Sequence, residues 1–256
     1  MAKKIMTKYS GLKLMTKYEG HSEQPPEAQP CARPHRQATR TCQPETLRWI
    51  KALYYSITQM GERQTNPVKL ILGNTASIKP FKHYPENAYL FGNDYWRAYY
   101  HCHNSPLNIK QEHGHVHFFT RNAHQTMNFT QQESDWAHCF ALSIDPVGQP
   151  IAMFTTNLWV TQGEWFAADG LMQALHKLAL DTPDTMLMGW FRAFILAFQN
   201  EINTLLVKRD ETIASVCQDD IDRCHADRNV YQLSILPIQL QDKLENLINS
   251  VKAVPA

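Results

Sequence analysis

The sequence predicts an α+β fold, in which a central antiparallel sheet of about four to five strands packs against helices that precede and follow it. Two observations carry that prediction. Strand-length runs rich in aromatic and β-branched residues are grouped mid-chain, at 95–103, 112–121, 136–145 and 150–157, with turn residues between them. On both sides of this group the apolar residues recur at helical spacing instead.

The elements follow in order. Residues 1–42 read as a mobile basic and proline-rich extension: Lys3, Lys4, Lys8, Lys13 and Lys17 are followed by "EQPPEAQPCARPHRQATR", and few of these residues suit a core. A short echo, "MTKYSG" at 6–11 and "MTKYEG" at 15–20, is too brief for a repeat architecture. Residues 43–256 form one α+β domain. Pro44 suits a first helical turn, and Leu47, Ile50, Leu53, Tyr54 and Ile57 then share one face. "VKLILG" and "AYLFG" fit either strands or buried turns. "DPVGQP" joins the last two strand runs as a hairpin. After "LMQALHKLAL", Asp181 or Thr182 can cap, and Pro183 can open, one long helix through "VKRD". Its broad apolar face includes Leu187, Trp190, Phe191, Phe194, Phe198, Ile202 and Leu206. Ile213, Cys217, Ile221 and Cys224 continue a weaker helical spacing, "NVYQLSILPI" bridges, and "LQDKLENLINSV" makes a last amphipathic helix.

Composition excludes several classes. The 25 basic and 24 acidic residues of this 256-residue chain give a net charge of +1, which supplies no general attraction to nucleic acid or anionic membranes. The six cysteines contain no Cys-x-x-Cys pair and no dense disulfide framework, so a reducing cytoplasm is expected. The basic first residues lack the roughly 7–15 consecutive apolar residues of a secretory segment. The longest apolar stretch, "MLMGWFRAFILAF", contains Arg192. It also falls short of the ~20 residues that cross a bilayer. No membrane partner is expected.

The chemistry concentrates in "QEHGHVHFFTR". On a strand, His113, His115 and His117 point to one face, while Gly114, Val116 and Phe118 point to the other, toward a helical core; the histidines then face a cleft or solvent. Side chains two apart on a strand are separated by roughly 6–7 Å, close enough for two imidazoles to share an ion, whereas His113 and His117 are roughly 13 Å apart and are not. Any single-ion site therefore recruits ligands from another strand, and "YYHCH" offers His101 and His103. If the two strands pair around "NSPLNIK", His101, His103, His113, His115 and His117 supply up to four nitrogens to a transition metal such as zinc, iron, nickel or copper. Glu133 or Glu164 would complete a site of two histidines and one carboxylate, or serve as acid or base. Glu112 is expected to point away from the histidine face.

A small-molecule substrate is the expected partner of such a site. "TTNLWVTQGEW" combines hydrogen-bonding groups with large aromatics, so Asn157, Trp159 and Thr161 are candidates for a pocket lip, and a loop pinned by its tryptophans is the simpler alternative. Trp136, His138, Phe140, Leu142 and Ile144 share a face, which makes His138 a core-edge residue, and Cys139 a packing cysteine.

Two resemblances bear on function. "HGHVHFF" resembles the motif of the histidine triad hydrolases and transferases, which implies a nucleotide phosphoryl site with His115 as nucleophile and His113 and His117 orienting it. Gly114 departs from the apolar residue usual there. More broadly, "EHGHVHFF", "LSIDPVGQPIAMFTTNLWVTQGEW", "LLVKRD" and "YQLSILPIQL" resemble an uncharacterised bacterial domain family with Gly-His-aromatic-His and Thr-Asn-x-Trp-Val-Thr segments, although Val116 stands at its aromatic position. That family implies no reaction. A transition-metal protein leaning to an enzyme, a phosphoryl-transfer enzyme and a non-catalytic polar strand face are thus the readings the sequence leaves open.

Overall fold

The computed structural model of the chain describes residues 44–75, 77–103, 111–121, 135–180, 182–217 and 220–245. The expected N-terminal extension, Glu133 and "NSPLNIK" lie outside them. Thr41–Ala256 form one compact unit.

Six strands form one antiparallel sheet in chain order: β1 Tyr84–Phe91, β2 Trp96–His101, β3 Gly114–Thr120, β4 Ala137–Ile144, β5 Pro150–Thr156 and β6 Gln232–Pro237. The helices are α1 Pro44–Glu62, α2 Pro67–Leu72, α3 Leu158–Thr161, α4 Ala168–Ala179, α5 Met186–Ala197, α6 Gln199–Cys217 and α7 Ile221–Ala226. The fold is therefore α+β, with one or two strands more than the sequence indicates.

Three local expectations change, and for a fourth, "AYLFG", the strand alternative holds. "VKLILG" is helical, because the Asn66 side chain accepts from Lys69 N and Pro67 occupies the first turn. "AYLFG" belongs mostly to β1. The expected bridging run is β6, whose backbone pairs with β5 from Ala152↔Pro237 to Thr156↔Gln232. The expected long helix is two helices. Thr185, rather than Asp181 or Thr182, caps α5 by accepting from Met188 N, and Phe198 (φ −104°, ψ 18°) interrupts the helix before α6. The interruption lets one apolar sequence serve two partners, since α5 packs on α1 and α6 on β5 and β6.

One face of the sheet meets these helices. Trp96, Ala98, Tyr100, Val116, Phe118, Phe140, Leu142 and Met153 project into the main core with Phe191 and Phe194. Phe118 stacks on Phe140 at 4.9 Å and meets Phe191 edge-on at 5.1 Å. Each such aromatic contributes on the order of 2–3 kcal/mol by leaving water. The hairpin between β4 and β5 forms as expected, with Asp145 Oδ1 accepting from Val147 N and Gln149 N and with Gly148 at φ 84°. Among the described residues no helix is long and apolar enough to cross a membrane. Cys102 and Cys139 are free thiols, and Cys224 is disulfide-bonded.

Candidate metal centre

The opposite face of the same strands carries the histidines. β2 and β3 run antiparallel with His101 directly opposite His115 and Tyr99 opposite His117. Alternation places all four on one face. The imidazoles of His115 and His117 are only 1% exposed, so they face neither solvent nor an open cleft.

His101 Nε2 lies 2.7 Å from His115 Nε2 and 3.1 Å from His117 Nε2. The far nitrogens of the two β3 rings are already engaged. His115 Nδ1 donates to Glu112 Oε1 at 2.9 Å, and His117 Nδ1 lies 2.9 Å from His138 Nε2, whose ring is held in turn by Thr156 Oγ1 at 3.3 Å from Nδ1. The bond to Glu112 fixes a lone pair on His115 Nε2. His103 stands at the more open side, its ring 5.1 Å from that of His101 and 5.0 Å from that of His115. One nitrogen each from His101, His103 and His115 falls within a mutual 4.8 Å, the spacing of a metal-binding group. The buried histidine cluster thus has the geometry to bind a metal ion.

Burial pushes His101 down to about 2, helped by His115, His103 and His83. It likewise lowers His138 to about 3, with Arg209 and His115 adding to it, and holds His117 well below the usual histidine range. All three are neutral near pH 7, the form that ligates metals. Burial works to raise the Glu112 carboxyl, yet the hydrogen bond and charge of His115 outweigh it and keep Glu112 ionised.

Two expectations fail for one reason. Strand pairing begins only at Gly114, so residues before it do not follow the pleat. Gln111 adopts φ 73°, and from there Glu112 reaches the histidine face while His113 turns to the opposite face, where its Nδ1 hydrogen-bonds the Tyr100 hydroxyl. Gly114 is required between them: a Cβ there would lie 2.3 Å from Tyr100 Oη and 2.6 Å from the His101 carbonyl oxygen. His113 is therefore not brought to the cluster, and the run of three histidines does not act as one constellation.

His138 is the third departure. Phe118 pairs with Phe140 but Phe119 pairs with His138, so β4 contains a bulge at Cys139. The extra residue reverses the alternation and swings His138 from the expected core face to the histidine face. Nothing local in "WAHCFALSID" signals that. Cys139 stays in the core, and burial raises its thiol to about 12, which suits packing and not nucleophilic attack.

The remaining candidates lie elsewhere. Glu164 is exposed; its backbone N donates to Trp136 O beside β4. Asn157 is buried, caps α3 and donates to Cys224 O at 2.8 Å, while Trp159 Nε1 donates to Val230 O at 2.8 Å. Thr161 ends α3. Among the described residues, Asn157, Trp159 and Thr161 make no hydrogen bond or ring contact with a cluster histidine, and the first two pin the α3 turn to the segment around α7.

Residues 47–238 match the model of the family described as Domain of unknown function (DUF6969), an uncharacterised family and not the histidine triad hydrolases and transferases. No curated protein and no solved structure matches the chain.

Proposed function

The chain belongs to the DUF6969 family, and within it we propose that the protein binds a transition metal ion through His101, His115 and His117, with His103 as a further donor, and uses it as a metalloenzyme. The observation that carries this reading is the approach of His101 Nε2 to two other Nε2 atoms at 2.7 and 3.1 Å. An imidazole nitrogen presents either one hydrogen or one lone pair in one direction, so hydrogen bonding satisfies at most one of these contacts well. A cation accepts all three lone pairs at once. Nitrogens bound to a tetrahedral zinc stand ~3.3 Å apart, given bonds of about 2.0–2.1 Å, so these two contacts need to open by only a fraction of an ångström.

Neutral imidazoles buried among aromatic rings suit zinc, iron, nickel or copper and not magnesium or calcium. Glu112 supports the reading further, since a carboxylate on the far nitrogen of a ligating histidine fixes its tautomer and raises its basicity. An ion held this way supplies Lewis acidity, and can activate water where one coordination position stays open to a small substrate.

The test is elemental analysis of untagged protein. Wild type and His113→Ala are expected to retain about one equivalent of metal, and His101→Ala and His115→Ala to lose it. Wild-type protein that neither retains nor takes up zinc, iron, nickel or copper at micromolar concentration overturns the proposal.

A further inference from the structure

The direction of each hydrogen bond on the histidine face follows from one fixed point. Glu112 is ionised and only accepts, so His115 Nδ1 carries the hydrogen and His115 Nε2 a lone pair. His101 Nε2, 2.7 Å from that lone pair, must then donate. His117 Nε2 stands 3.1 Å from the same His101 nitrogen. A second hydrogen there would oppose the first, so His117 Nε2 also presents a lone pair.

The consequence runs on through β4 to β5. His117 is neutral, and its one hydrogen is therefore on Nδ1, where His138 Nε2 accepts it at 2.9 Å. His138 is neutral as well, so its hydrogen is on Nδ1 and is donated to Thr156 Oγ1 at 3.3 Å. All three side chains are buried, and leaving either ring nitrogen unpaired there would cost its full desolvation. The reverse direction, with Thr156 donating to His138 and His138 to His117, would put a hydrogen on His117 Nε2 facing His101. No lone pair would then remain on that nitrogen for an ion.

We propose that His138 and Thr156 are positioning residues: they turn the lone pair of His117 Nε2 into the cluster, as Glu112 does for His115, and leave His101 as the one of these three ligands whose hydrogen must move when an ion enters. The inward lone pairs follow from the hydrogen bonds alone; calling their owners ligands rests on the metal reading. On binding, the N–H bond at His101 Nε2 breaks and its proton passes to solvent, while Nδ1 takes one up, so the ring stays neutral and the net proton count is unchanged. His101 is less enclosed than His115 or His117, which suits it to that exchange.

The experiment is nitrogen-15 NMR of the histidine side chains in the full chain, metal-free and with one equivalent of zinc, together with zinc affinity by chelator competition. Metal-free protein is expected to show the Nδ1–H tautomer at His115, His117 and His138 and the Nε2–H tautomer at His101; zinc should convert His101 and leave the other three. Thr156→Val removes the acceptor at the end of the chain and should weaken zinc binding about tenfold, with Thr156→Ser restoring it. A packing defect would instead persist in the smaller serine. His138→Phe, checked for folding by thermal melting, should weaken zinc binding at least as much. A His138 Nε2–H tautomer in metal-free wild type overturns the proposal, and so does zinc affinity unchanged in Thr156→Val. The expected tautomers in protein that takes up no zinc, iron, nickel or copper sustain the hydrogen-bond chain and sink the metal reading alone; stoichiometric zinc with His138 in the Nε2–H form does the reverse.

Discussion

Phe118 and His117 are neighbours in β3 and are equally withdrawn from water, yet they belong to opposite designs. The face that carries Phe118 also carries Trp96, Tyr100, Phe140 and Leu142 and meets α5, where every buried contact adds to stability. The face that carries His117 buries imidazoles whose nitrogens must each find a partner or lose free energy to desolvation. The same strands therefore hold the fold together with one set of alternate residues and concentrate chemistry with the other. Rigid strands suit this division, since they hold side-chain atoms more closely in place than loops do.

The comparison can be broken at several points. The largest effect is expected from Phe118→Ala, which should cost about 3–5 kcal/mol in urea denaturation. His117→Ala in metal-free protein should cost far less, because it removes a desolvated polar ring; equal costs would show that the two faces do not differ as argued. Next comes Glu112→Gln, which leaves the shape and weakens the hold on His115. Metal affinity measured by chelator competition should fall about 10–100-fold. An unchanged affinity would mean that the Glu112 contact does not orient the ligand.

Acid should act chiefly on the histidine face. His101 and His138 titrate at about 2 and about 3 in the folded chain, against 6.5 for an ordinary histidine. Their folded values are depressed, so below pH 6.5 the unfolded chain takes up protons that the folded chain refuses. Metal-free stability is thus fully present above that pH and declines as pH falls through it, by on the order of 1 kcal/mol per pH unit for each histidine. Urea midpoints compared between pH 8 and pH 5 measure this, and His101→Ala should flatten the decline. The smallest effect is expected from Trp159→Phe, which removes the hydrogen bond to Val230 O and should cost about 1 kcal/mol with no change in metal content. Loss of metal in that variant would return Trp159 to the site.

Much of the site was legible as spacing. The pairs His101/His103 and His115/His117 were visible as ligands on neighbouring strands, and the need for a second strand followed from the rise per residue. The register that sets His101 opposite His115 needed the folded sheet. The faces of Glu112 and His113 are not legible in the sequence, because the pleat begins only at Gly114. His138 escaped because its face depends on a bulge, and β6 because its apolar residues alternate too weakly to distinguish an edge strand from a connector.

The sequence by itself determined that an antiparallel sheet has one apolar face and one histidine face, because alternation is a local property of an extended chain. Only the tertiary structure decided which histidines meet. Where pairing starts, which residues stand opposite and where a bulge reverses the alternation are set between segments distant in the chain, so His113 leaves the cluster while Glu112 and His138 join it.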